Sequence, residues 1–204
     1  MVLAVKPQMA AETLPAYARF AKAGAVFVSI MAGQTEAGIE RLLGGEAAVV
    51  RAMPNTPAAV GQGFTAGFAG ARVTGAQKTL ADALLRAVGE VAWVEEEAQL
   101  DAVPAVSGGG PAYVFLLAEL LEKAAVEQGL PADLARRMAR ATVSGAGSLL
   151  ARSDEDAAVL RRNVTSPKGT TERALAVLMA EDAWPALVSR AIAAATTRSR
   201  ELSA

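Results

Sequence analysis

Short apolar and β-branched runs alternate with helical stretches through the first half of the chain. Residues 2–5, 26–30, 49–53, 64–68 and 91–94 read as strands. The clearest helix between them is predicted over 79–88, where Leu80, Ala83, Leu84, Ala87 and Val88 recur at three- and four-residue spacing and Gly89 supplies a stop. Strands alternating with helices predict parallel βαβ units, hence an α/β sheet.

After about residue 100 the strand pattern ends, and helices are predicted over 111–128, 132–152, 154–162, 171–180 and 184–202. Gly129 followed by Pro131 marks a C-cap, and Ser153 is expected to open the next helix with acidic residues in its first turn. The organisation expected is therefore two domains: residues 1–98 belonging to a Rossmann-type parallel sheet and residues 99–204 forming an all-helical domain. The first strand has the apolar run of a buried strand but nothing before it. Either it lies at a sheet edge, or preceding strands of a doubly wound sheet lie outside this polypeptide.

Twenty basic and 21 acidic residues nearly cancel, and no long run of like charge occurs, so neither a nucleic-acid surface nor a polybasic membrane anchor is suggested. The chain has no Cys and no His. Thiol nucleophiles, imidazole bases and disulfides are thereby excluded, as are most zinc sites, and chemistry led by a bound cofactor fits the remaining groups best. No apolar stretch is expected to reach the roughly 18–20 residues of a membrane span, and no signal segment is recognised at the start, so a cytoplasmic location is expected.

Several glycine-rich segments carry competing readings. Gly61, Gly63 and Gly67 have GxGxxxG spacing and lead into a strand, the wrong context for a phosphate loop. Gly145 and Gly147, within a small face from Ser144 to Ser148, suit close approach of another helix. Ser107-Gly108-Gly109-Gly110-Pro111 joins the two domains; it reads either as a hinge or as backbone N–H groups offered to a small anion. The hydroxyl-rich turn from Asn163 to Glu172 either caps a helix or binds a carboxylate. Asn55, in the rigid turn after the third strand, either caps that turn or presents its amide to a ligand.

AVKPQ, RAMPNTPAAVGQG, DAVPAVSGGGPAYVF and NVTSPKGTTERAL, in this order and spacing, resemble the pyrroline-5-carboxylate reductase family along essentially the whole chain. The resemblance implies a Rossmann-type NAD(P)H domain joined to a helical dimerisation domain, with NADPH or NADH as cofactor and assembly into a homodimer or larger ring. Ala4, Val5, Lys6 and Pro7 match one cofactor-lining strand end and Ile30, Met31 and Ala32 a second. Asn55 and Asn163 match positions near the dinucleotide. Ser166 and Gly169 belong to the substrate turn, Thr170 and Thr171 match its substrate-contacting pair, and Glu97 matches a substrate-side acidic position. The family pattern departs at two places: it has Ser where Gly109 stands and Gly where Lys168 stands.

The implied reaction is hydride transfer to C5 of 1-pyrroline-5-carboxylate, giving L-proline, with Thr171 near the ring nitrogen and no need for histidine. Relative to the family pattern the N-terminal strands and GxGxxG loop are absent from this sequence, so weak dinucleotide binding by the chain alone is expected. The alternative is a cofactor-incompetent oligomerising or ligand-binding remnant of the family. The helices after Pro111 carry more Ala, Leu and Val than one short domain can cover, which predicts a second copy as partner.

Overall fold

The structure, a computed structural model, describes residues 1–203. These form two compact units: residues 1–111 with those from Ile192 onward, and Ala112–Ala191. The division falls later than the expected 98/99 boundary because two short helical turns, Glu97–Asp101 and Pro104–Gly108, bury Leu100 and Ala105 within the first unit.

The first unit is built on five strands in spatial order one to five: β1 (Val2–Leu3), β2 (Val26–Ser29), β3 (Ala48–Pro54), β4 (Gly63–Ala69) and β5 (Gly89–Trp93). The strands β1, β2 and β3 are parallel, with Leu3 opposite Ser29 and Ser29 opposite Arg51. All four residues of β2 are buried, as expected of a strand covered on both faces.

The pairing of β3 with β4 corrects the expectation of parallel βαβ units throughout, since these two strands are antiparallel, with Met53 opposite Ala66. Only a short turn, Thr56–Val60, connects them. A parallel crossover takes a dozen or more residues, so the return had to be antiparallel. Parallel pairing resumes between β4 and β5 through α4 (Gly75–Arg86). Where β5 starts, a Cβ on Gly89 would overlap the carbonyl oxygen of Gly63, and Gly89 has φ 147°, so only glycine allows this approach.

Alternate residues divide between two cores. On one face Phe27 and Val49 join Leu14 from the segment after β1, which holds the short helices α1 (Ala10–Thr13) and α2 (Ala18–Lys22), Met31 from just after β2, Ile39 of α3 (Glu36–Leu42) and Leu43 at its C-cap. On the other, Val26, Val28, Val50 and Ala52 meet Ala81 and Leu85 of α4 and Val91 of β5. Each large aliphatic side chain removed from water in this way contributes about 1.5–3 kcal/mol.

The periodicity seen in 79–88 corresponds to the wrong side of α4. Ala81 and Leu85 are buried, whereas Leu80, Leu84 and Val88 are exposed. The helix also starts earlier, at a capping box in which Thr74 and Gln77 satisfy each other's backbone N–H groups. Polar contacts decide which side faces the sheet: Trp93 Nε1 donates to Asp82 Oδ1 at 2.8 Å, and Lys78 Nζ lies 4.7 Å from the indole centroid. Hydrogen bonds from Arg86 and Trp93 hold the Asp82 carboxyl below its usual range.

The second unit contains most of α5 (Gly110–Glu127), α6 (Ala132–Arg152), α7 (Ala157–Asn163), α8 (Thr170–Leu178) and the first part of α9 (Trp184–Ser203). Gly129, at φ 91°, turns the chain after α5 as expected of a glycine C-cap. Ser153, expected to open α7, instead terminates α6; its Oγ accepts from the Glu155 backbone N–H, and α7 begins four residues later at Ala157. The tight turn consumes the residues assigned to the helix start.

Among the described residues of this unit only Ala135 and Ala139 are fully buried apolar side chains, while Phe115, Leu149 and Val177 are about 70% exposed (68%, 68% and 71%). The expectation that no stretch reaches bilayer-spanning length and apolarity also needs correction. Residues 97–127 include an 18-residue window of mean hydropathy 1.2, sufficient by length and composition. Alanines and aliphatics distributed around a long helix raise the average without forming one visibly apolar block.

Candidate active site

Parallel strands present their last backbone groups, and the loops that follow, along one edge of the sheet, the usual ligand edge of an open α/β sheet. The registers of β1, β2 and β3 place there three of the anticipated groups: Ala4–Pro7, Ile30–Ala32 and Asn55. Pro7 begins a helical turn whose N-cap is Lys6, and the Ile30 backbone N–H donates to the Leu3 carbonyl at 3.1 Å, holding the first two strand ends together. Ala4, Lys6 and Ala32 are exposed at this edge. Met31 is 2% exposed and packs in the core, so only its backbone is available to a ligand.

Asn55 is tied at both ends of its amide. Its Oδ1 accepts from the Phe64 backbone N–H at 2.9 Å, and its Nδ2 donates to Ser107 Oγ at 3.1 Å. It therefore joins the end of β3, the start of β4 and the Pro104–Gly108 turn. That turn is π-helical, with the Gly109 N–H donating to the Pro104 carbonyl at 2.7 Å, a local geometry that recurs at functional sites.

Glu97, anticipated as a substrate-side acidic position, is hydrogen-bonded within the first unit. Its Oε1 accepts from Arg51 Nη1 at 2.7 Å and from the Glu36 backbone N–H at 2.6 Å. The Arg51 side chain is 5% exposed, so the carboxylate supplies the counter-charge for a buried guanidinium and caps the start of α3. Glu36 is held above its ordinary value of 4.5, first by desolvation and then by the carboxylates of Glu40 and Glu97, with Arg72 opposing. Composition and spacing did not reveal this network, although a lone Arg in the otherwise apolar 48–52 run signals a buried charge that needs a partner.

The second unit carries Asn163 at the end of α7 and the turn to α8. Here Ser166 and Thr170 are exposed and Thr171 is half-buried. The N-cap of α8 is Gly169, with no side-chain cap, and the first intrahelical bond of this end is the Arg173 N–H to the Gly169 carbonyl. The N–H groups of Thr170, Thr171 and Glu172 thus open the helix without an intrahelical acceptor. Among the described residues the Ser166, Thr170 and Thr171 hydroxyls make no capping bond. Instead, Glu172 Oε2 accepts from the Lys168 N–H at 2.8 Å. Lys168, with φ 60°, is the one non-glycine residue of left-handed conformation among those described, at the position where the family pattern has Gly. Asn163 Nδ2 donates to Glu155 Oε2 at 3.1 Å.

The fold and these positions define a chain with dinucleotide-type sheet architecture and a helical module bearing an anion-ready helix start. The family profile described as pyrroline-5-carboxylate reductase dimerisation matches residues 97–202. The pyrroline-5-carboxylate reductase of Pseudomonas aeruginosa is 45% identical over 202 residues, covering 99% of this chain and 74% of that protein. Pyrroline-5-carboxylate reductase 1 of Bacillus subtilis is 38% identical over 203 residues, with 100% and 68% covered. Among solved structures, the enzyme from Coxiella burnetii superposes with a TM-score of 0.94 at 40% identity, covering all of this chain and 75% of that one. The Plasmodium falciparum pyrroline carboxylate reductase with NADP bound gives 0.85 at 30% identity, with 100% and 81% covered. The chain belongs to the pyrroline-5-carboxylate reductase family.

Proposed function

We infer that this protein reduces 1-pyrroline-5-carboxylate to L-proline with NAD(P)H. The observation that carries the reading is the family match across the whole chain, joined to an α8 start whose N–H groups and hydroxyls are free of capping duty. The remnant alternative has no observation in its favour.

The residues present suit the nicotinamide end of the cofactor: the edge formed by Ala4–Pro7, Ile30–Ala32 and Asn55 offers backbone groups and small side chains beside parallel strand ends. When bound, the reduced nicotinamide supplies the hydride. The strand ends would orient its ring. The N–H groups of Thr170 and Thr171, with Ser166 and Gly169 shaping the turn, hold the substrate carboxylate where the helix dipole favours negative charge. The Thr171 hydroxyl oxygen accepts the N–H of the protonated imine, keeping that proton on the ring nitrogen and C5 electrophilic. Glu97 acts through the fold, by fixing Arg51 and the start of α3, rather than as a substrate contact.

The helical unit pairs with a second copy. Its exposed faces and a groove of about 790 Å³, lined by Phe115, Lys123 and Val126 of α5 and by Arg136 and Arg140 of α6, are suited to an apolar helix carrying charges at its rim. Beyond their own helix backbone, no described residue comes within 4 Å of a Cβ position on Gly145 or Gly147, which leaves their face open to the partner. A partner helix also accounts for the apolar 97–127 stretch without a membrane, and the cytoplasm is the location that follows from this reading.

Thr171→Ala tests the substrate turn. The expected loss is about 1–3 kcal/mol in kcat/KM for pyrroline-5-carboxylate, with unchanged NADPH affinity and thermal stability, because the hydroxyl caps nothing. Unchanged kcat/KM would remove Thr171 from the site.

A further inference from the structure

Asn55 lies on the cofactor edge, yet its amide is committed inside the chain. The Phe64 backbone N–H can only donate, so the amide end facing it at 2.9 Å must be the carbonyl oxygen. The other end, facing Ser107 at 3.1 Å, is then the NH₂ group, and the Ser107 oxygen must accept there. A serine hydroxyl has a single hydrogen, and among the described residues it finds no acceptor in the chain. Ser107 is half-buried at the end of a π-helical turn packed against β3, so its hydroxyl meets the edge space and not the core.

We propose that Asn55 is a positioning residue that acts through Ser107, locking the Ser107 hydroxyl as a hydrogen-bond donor to the carboxamide oxygen of the nicotinamide ring. This rests on the functional reading above and assigns Asn55 an indirect role in place of direct cofactor contact. The Phe64 N–H anchors the amide, the amide anchors the hydroxyl, and the hydroxyl sets the orientation of the ring. The carboxamide oxygen is the hydrogen-bond acceptor of the nicotinamide ring, the end of the cofactor that the functional reading puts beside the ends of β1, β2 and β3.

The test measures NADPH dissociation constants by fluorescence titration, without substrate, for wild type, Ser107→Ala, Asn55→Ala, the double variant and Ser107→Thr, with thermal melts of each. The expected result is an increase of about tenfold in the constant for either alanine variant, the size of one neutral hydrogen bond. The double variant should be no worse than the poorer single one, and threonine, which keeps the hydroxyl, should bind within about threefold of wild type. Additive losses would mean that Asn55 touches the cofactor itself and would overturn the proposal. So would an unchanged constant for Ser107→Ala, or a change confined to the KM for pyrroline-5-carboxylate. If Asn55→Ala fails to fold, the Ser107→Ala and Ser107→Thr pair decides alone. Wild type that forms no proline even when saturated with NADPH would remove the functional reading as well, whereas a measurable wild-type constant with an indifferent Ser107→Ala overturns this proposal only.

Discussion

The two units of the chain meet the need for burial in opposite ways. The sheet unit closes on itself: Phe27, Val28, Val49, Val50, Ile39 and Leu43 are at most 2% exposed, and the one deeply buried charge among its described residues, Arg51, has a carboxylate partner in the same unit. Among its described residues the helical unit buries completely only two alanines, while its largest apolar side chains face outward. Helices that are apolar around much of their circumference are stable only when something covers them. The sheet unit covers its own apolar side chains, and the helical unit leaves most of its own uncovered.

The sharpest way to break that contrast is to place a charge on the outward face of the helical unit. Phe115→Glu or Leu149→Glu at an exposed surface position would normally change stability by less than about 0.5 kcal/mol. If a second copy covers these residues, each should cost about 3–5 kcal/mol and abolish the dimer, as an unpaired charge buried in a former apolar contact. Sedimentation velocity reads the loss directly; a folded dimer unaffected by either change would place the interface elsewhere.

In the sheet unit the largest effect should come from inside. Glu97→Ala leaves Arg51 buried without a counter-charge and is expected to lower stability by about 3–5 kcal/mol, read from denaturant unfolding. A variant of native stability with a raised KM for pyrroline-5-carboxylate would return Glu97 to the substrate site.

A smaller effect of opposite sign is expected at Lys168. Its φ of 60° strains a side-chain-bearing residue by about 1 kcal/mol or more, partly offset by the larger entropy glycine loses on folding. Lys168→Gly should therefore raise the melting temperature slightly without loss of the turn, and a decrease would show that the lysine side chain holds it.

The smallest effect concerns pH. The folded-state pKa of Glu36 is raised above 4.5, so its neutral form is favoured in the fold; that contribution is full below pH 4.5 and is lost as pH rises through the folded value. Glu36→Gln, which resembles the neutral acid, should be more stable than wild type near pH 7, and the difference should vanish as the pH falls below 4.5. A gain that persists in acid would assign the effect to something other than ionisation.

Much of the architecture was legible in the residues themselves. All five strands lie where the short apolar and β-branched runs are, because a strand buried on both faces is apolar along most of its length, as in 26–28. The Gly129 cap was equally plain, since left-handed backbone selects glycine locally. The family motifs pointed to the substrate turn, and the open start of α8 suits that role.

What depended on distant partners could not be read from local patterns. Periodicity marked an apolar side on α4, but Leu80, Leu84 and Val88 face out because Asp82, Lys78 and Trp93 turn Ala81 and Leu85 toward the sheet. The antiparallel β4 followed from the length of a loop. The setting of Glu97 followed from Arg51, 46 residues earlier in the chain. Elements, family and available chemistry are legible along the chain because they depend on neighbouring residues and recurring motifs. Which face each element buries and which polar group meets which arise only on folding, since a hydrogen bond or a counter-charge takes its partner from space, regardless of position along the chain.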